Sequence, residues 1–184
     1  ADRDLLRREL VGSYTSGEWY SEVGTQFHTK LEDPAEVRRA LGLEDGKKTV
    51  VVFPHIFWDG TFFYGTDLFE RYEEWFVETM KVAYTNPCVN WIVKIHPANI
   101  VKNMRDGVGS EPSELTAIRS LGGSPPPHVR IIQPDSRLST LSLYSVMNYC
   151  VTVRGTVGIE AARFGIPVLT AGTGRYDRLG FTVD

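Results

Sequence analysis

Four short runs hold the residues able to do chemistry, and each follows an apolar stretch: His55 with Trp58-Asp59-Gly60, His96-Pro97-Ala98-Asn99, Gln133-Pro134-Asp135-Ser136, and Arg154-Gly155-Thr156-Val157-Gly158 leading to Glu160. The last is the most informative. An apolar run ends at Arg154, a turn of small residues follows, then a helical pattern bearing Glu160, then Gly165-Ile166-Pro167 and another apolar run. In a parallel α/β sheet such a turn lies at the carboxyl edge of a strand, where N–H groups and the positive end of the next helix face the ligand crevice. It suits an anion. Arg154 adds a fixed cation, and Glu160, one turn on, can accept hydrogen bonds from sugar hydroxyls. Phosphate plus sugar is the ligand these residue types describe. The same residues also serve a plain tight turn with a helix cap, and the sequence leaves both readings open.

A single loop histidine is commonly an ordinary surface or core residue. Two of them at neighbouring strand ends, facing an arginine and a glutamate, make a candidate site. His96 stands out because Pro97 confines the preceding backbone to extended geometry and so fixes where the ring points. As imidazolium or as N–H donor, it can bind a donor phosphate and stabilise charge building on a leaving nucleotide. His28 and His128 are read as surface residues.

The elements that position these groups alternate along the chain. Continuous β-branched and apolar runs predict strands over 49–54, 90–95, 129–133, 149–153 and 167–170, as expected for parallel strands buried on both faces. Asp33, Pro34 and Glu36 supply an N-cap, a proline at the first helical position and an acid in the first turn, starting a helix that stops near Gly42. Phe69, Tyr72, Phe76, Met80 and Ala83 recur at helical spacing over 68–84, an aromatic stripe that reads as core. Further helices are predicted over 1–10, 111–121 and 139–147. Residues 12–30 have no period and read as a loop, and 122–127 (GGSPPP) as a stiff surface connection. Alternating strands and helices predict an α/β fold, a three-layer Rossmann-like domain with a mostly parallel sheet. The expected organisation is a leader or interdomain segment over 1–32 and a nucleotide-sugar-binding domain over 33–184.

Composition bounds the alternatives. The 184 residues, 42% of them hydrophobic, suffice for one packed domain and are short for two. A formal net charge of −3 provides no basic field to draw in nucleic acid. No apolar run approaches the ~20 residues that cross a bilayer, and the first 15 residues are too charged for a signal peptide, so a cytoplasmic protein is expected. Cys88 and Cys150 lack metal spacing and read as ordinary thiols.

The run Lys94-Ile95-His96-Pro97, with Gln133-Pro134, Arg154-Gly155-Thr156-Val157-Gly158-Ile159-Glu160 and Gly165-Ile166-Pro167, resembles the C-terminal, nucleotide-binding half of GT-B glycosyltransferases. It looks most similar to the capsule and surface-polysaccharide group, which includes transferases using CMP-activated Kdo or sialic acid. The resemblance runs over about residues 33–180. It implies that His96 is the catalytic donor-phosphate ligand and that Thr156 and Gly158 offer hydroxyl and backbone N–H groups to the phosphate. Glu160 would hold ribose or sugar hydroxyls, and Arg154 would be a second phosphate partner. His55, Asp59, Pro97, Gln133, Ser136 and Gly155 complete the expected substrate-binding set. The donor is a nucleotide-sugar, CMP-sugar favoured, with no separate cofactor and no metal, since no Asp-x-Asp pair is present to hold one. A saccharide or lipid-linked acceptor would be bound by the N-terminal domain that this chain lacks, in an assembly peripheral to the inner membrane. On that expectation the chain is an excised donor half, inactive by itself. Transfer would invert by direct displacement, since no placed nucleophile stands out. A CDP-glycerol glycerophosphotransferase-like or epimerase-like GT-B enzyme, or a non-catalytic nucleotide-binding scaffold, remains the alternative.

Overall fold

A computed structural model describes residues 4, 5, 8, 32–59, 68–100, 111–174, 176 and 178–183. The expected loop over 12–30, His28 and Gly60 lie outside the described residues; of the helix expected over 1–10, Asp4, Leu5 and Arg8 are described, and are helical. Six strands form one sheet: β1 (Thr49–Phe53), β2 (Asn90–Lys94), β3 (Val129–Ile132), β4 (Tyr149–Thr152), β5 (Val168–Thr170) and β6 (Thr182–Val183). Their order is β3-β2-β1-β4-β5-β6, and every neighbouring pair is parallel. This is the doubly wound order, with its reversal between β1 and β4. β6, only two residues long, carries no legible strand pattern in the sequence.

Helices cover both faces, giving the three layers expected. They are α1 (Pro34–Ala40), α2 (Tyr72–Thr85), α3 (Ser113–Ser120), α4 (Thr140–Tyr144) and α5 (Val157–Arg163). Alternation along each strand sorts its side chains between two cores. Val50, Val52, Trp91, Val93 and Val129 pack with Tyr72, Trp75, Phe76, Met80 and Ala83 of α2 and with Ala117 and Ile118 of α3. Val51, Ile92, Ile132, Cys150 and Val168 pack with Val37 of α1, Leu143 and Tyr144 of α4 and Ala161 of α5.

The helix ends follow from local chemistry. Asp33 accepts the Ala35 N–H at 2.8 Å with Pro34 in the first turn, as the sequence predicts. Past the other end of α1, Gly42 takes φ +58°, and Arg130 on β3 donates its Nε–H to the Leu41 carbonyl at 2.7 Å, satisfying one of the acceptors a helix end leaves over. α2 begins four residues later than its apolar stripe, because Arg71 is extended (φ −134°, ψ 147°). His128 is not a plain surface residue: its half-buried ring contacts the Ala83 carbonyl at 2.9 Å, near the carboxyl end of α2.

Candidate functional site

The crevice of a doubly wound sheet opens at the carboxyl ends of the strands where their order reverses. His55 follows β1 and Arg154 follows β4, on the two sides of that reversal, while His96 follows β2, the next strand over. Three of the predicted residues therefore come from three adjacent strands. Tyr72, the first residue of α2, ties two of them together. Its ring stacks on His55 at 4.4 Å between centroids with 14° between planes, and the Arg154 guanidinium carbon lies 5.9 Å from the same ring's centre.

Burial dominates the electrostatics. It lowers the His55 pKa to about 4, with Arg154 and His96 lowering it further and Asp59 opposing. His96 also falls to about 4, through burial and the Lys94 charge, again opposed by Asp59. Both imidazoles are neutral at pH 7. The Ala98 N–H donates to His96 Nδ1 at 3.1 Å, which puts the ring's proton on Nε2. Of the two forms the sequence left open for His96, the structure favours the neutral N–H donor. Asp59 is exposed and within electrostatic range of both rings. Pro97 is half-buried and accepts the Ile100 N–H at 3.0 Å, shaping the turn on which His96 sits.

The turn after β4 is built differently from the expectation for its glycines. The Gly158 N–H donates to the Gly155 carbonyl at 2.9 Å, so it is not offered to a phosphate. That same carbonyl accepts the Tyr176 hydroxyl at 2.7 Å. A Cβ on Gly158 would come within 2.3 Å of the Tyr176 Oη. Gly158 thus makes room for a tyrosine, whereas a Cβ on Gly155 would meet the Thr152 Oγ1 at 3.1 Å. Thr156 is exposed, its backbone already helical (φ −56°, ψ −24°), and its side chain makes no capping bond. α5 has only seven residues, fewer than two full turns. Arg154, buried to 8% exposure, is therefore the principal positive element here.

Glu160 is half-buried, and its Oε2 accepts the Tyr144 hydroxyl at 2.7 Å. Burial raises its pKa to about 7, so near neutrality it is divided between acid and carboxylate.

Gln133 and Ser136 follow β3, the edge strand, which lies beside β2 and so one strand from His96, but three strands from β4, roughly 14 Å across the sheet at the usual inter-strand spacing. Ser136 accepts the Leu138 N–H on its hydroxyl at 3.2 Å and donates its own N–H to the Gln133 carbonyl at 3.1 Å, a local turn. Tyr72, Tyr144 and Tyr176 carry no joint signal in the sequence, because each comes from a different part of the chain. Tyr72 had a signal, as the stripe residue next to the strand ends, but a helical stripe reads first as core. Among the described residues no three His, Cys, Asp or Glu side chains cluster as a metal site, and no helix is long and apolar enough to cross a membrane.

No family model matches the sequence, and no curated protein matches it. Among solved structures the chain is similar to the KpsC β-Kdo 2,7 transferase of Thermosulfurimonas dismutans, with 20% identity, a TM-score of 0.49, and coverage of 82% of this chain and 45% of that one. It is also similar to UDP-GlcNAc 2-epimerase from Neisseria meningitidis bound to UDP-GlcNAc (17%, TM-score 0.47, 74% and 30%). The wall teichoic acid polymerase TagF is more distant (12%, TM-score 0.40, 74% and 27%). The chain spans less than half the length of each. Likeness at this level carries no assignment of activity.

Proposed function

We propose that the chain is the nucleotide-sugar-binding domain of a GT-B-fold glycosyltransferase that builds capsule or surface polysaccharide, with a CMP-sugar as its donor. One observation carries the binding half of this reading: a buried guanidinium and two neutral imidazoles converge at the ends of β4, β1 and β2, astride the strand-order reversal. Arg154 supplies charge to the phosphate. His96 donates its Nε2–H, and in the transition state that bond strengthens as negative charge collects on the leaving oxygen. Glu160 accepts from ribose or sugar hydroxyls. The transferase half of the reading rests on the sequence resemblance. The resemblance puts the general base and most of the acceptor site in another domain, so the isolated chain is expected to bind without transferring.

Calorimetry with CMP, CDP, UDP and GDP tests this directly. At least one weak, saturable isotherm is expected, and the same ligand should bind less tightly to His96→Ala. No binding of any of the four at millimolar concentration overturns the proposal.

Glu160 gives a second, signed expectation. Its pKa is raised to about 7, so between pH 6 and 8 it passes from mostly acid to mostly carboxylate. Hydroxyl donors bind the carboxylate better, so affinity should rise through this window and level off above it. In Glu160→Gln the part of that rise owed to the side chain disappears, and at pH 8 affinity falls about tenfold, the loss of one charge-assisted hydrogen bond. The ligand phosphate titrates identically in both proteins, so the wild-type-to-variant ratio isolates the side chain. A ratio constant from pH 6 to 8 removes Glu160 from the ligand.

A further inference from the structure

Trp58 has no part in the phosphate cradle, yet it is held beside it. Its indole is 45% exposed, whereas Trp75 and Trp91 are buried at 4% and 7%. A singly exposed apolar residue is ordinary; a costly support beneath it is not. The indole Nε1–H reaches Asn99 Oδ1 at 3.4 Å. Asn99 is 5% exposed, and its amide donates to the His96 carbonyl and to Glu114 Oε1, each at 3.1 Å. Glu114 is wholly buried, and burial raises its pKa. Burying an acid is unfavourable, yet here a chain of polar groups runs from the core to the backbone of His96 and to the exposed ring. The turn that presents the ring is closed by the Asp59 N–H donating to the Ile56 carbonyl at 2.9 Å. It also presents the exposed carboxylate of Asp59, next to Trp58 in sequence.

From this we propose that Trp58 and Asp59 form a subsite for an uncharged sugar ring, at the rim of the strand-end crevice. The negative face of an indole attracts the polarised C–H groups on the apolar face of a pyranose, and the adjacent carboxylate accepts its hydroxyls. A pyrimidine base suits the pair less well, since it offers Asp59 a single N–H edge flanked by acceptors that the charge repels, whereas a pyranose offers several hydroxyls. A carboxylate-bearing sugar would be repelled for the same reason. In an enzyme using an acidic donor sugar, the ring held here is that of the acceptor. Only the position of the nucleotide rests on the function proposed above.

The test follows the Trp58 indole N–H signal by NMR, assigned with Trp58→Phe, during titration with UDP, UDP-GlcNAc, CMP-N-acetylneuraminate and a methyl glycoside of N-acetylglucosamine. The signal should move with UDP-GlcNAc and the methyl glycoside but not with UDP. Trp58→Ala should weaken UDP-GlcNAc about tenfold while leaving UDP unchanged, and Asp59→Asn should let the acidic sugar move the signal. Equal weakening of UDP and UDP-GlcNAc would mean that the ring stacks on the base, overturning the assignment. A signal unmoved by every sugar-bearing probe removes the subsite. A chain that binds no UDP, yet whose Trp58 responds to the methyl glycoside, refutes the nucleotide site and supports this one.

Discussion

Replacing Gly158 with alanine is expected to lower the melting temperature by roughly 4–8 °C, an effect of about 2 kcal/mol for a chain of this size. By helix propensity alone the change should help by up to about 1 kcal/mol. The geometry reverses that sign. The new Cβ would lie 2.3 Å from Tyr176 Oη and 2.9 Å from its Cζ. Tyr176 has little room to yield, being 3% exposed, stacked on Phe181 at 5.7 Å and bonded to the Gly155 carbonyl. Displacing it forfeits that hydrogen bond, about 1 kcal/mol, and adds the roughly 1–3 kcal/mol typical of overpacking. The control is Tyr176→Ala: in that background Gly158→Ala should cost much less. Additive losses would show that the clash is not the cause.

A second large effect concerns acid. The folded-state pKa of His55 is about 4, against 6.5 for the ordinary residue. Between those values the unfolded chain takes up a proton that the folded chain refuses. The stability it contributes is therefore complete above pH 6.5 and is lost as pH falls toward 4. Glu160 works the other way, since its raised pKa makes ionisation costly from about pH 4.5 to 7 and acidification relieves that cost. The informative quantity is thus a difference: from pH 7 to pH 5, wild type should lose roughly 1–2 kcal/mol more than His55→Gln, after discounting for partial exposure. Urea midpoints at both pH values measure it, and any pH-independent cost of losing the stack on Tyr72 cancels. Parallel losses in the two proteins would mean that His55 titrates normally in the folded state.

What the sequence reveals, and what it hides, divides along physical lines. Thr49–Phe53 and Asn90–Lys94 are legible because a strand buried on both faces must be apolar throughout. Asp33 and Pro34 are legible because capping is local chemistry. The convergence of His55, His96 and Arg154 follows from topology, since strand ends in a parallel sheet share one edge. What Gly158 and Ser136 do is not legible, because a glycine that admits Tyr176 and a serine that closes its own turn look the same in sequence as ligand-binding ones. The charge state of His96 was hidden for a related reason: it depends on burial and on the Ala98 N–H. The late start of α2 and early end of α4 reflect single backbone angles and serine hydroxyls that hydrophobic periodicity does not record. Ser145, for example, donates its Oγ–H to the Ser142 carbonyl at 2.6 Å where the apolar pattern would have continued the helix.

The pairing of β1 with β4 sets Val50 beside Tyr149. Joining them closes a loop of roughly a hundred residues before any contact repays the lost chain entropy, whereas β1 with β2 and β4 with β5 close much shorter ones. On this topology the chain would assemble as two halves, β1 to β3 and β4 to β6, with their docking as the slow event. His55 and His96 belong to the first half, Arg154 and Glu160 to the second. The crevice does not exist in either half alone, so it would be the last part of the molecule to form and the first to open when the halves part. A ligand that bridges His96 and Arg154 would then act as a kinetic clasp, slowing unfolding while leaving the rate of folding nearly unchanged.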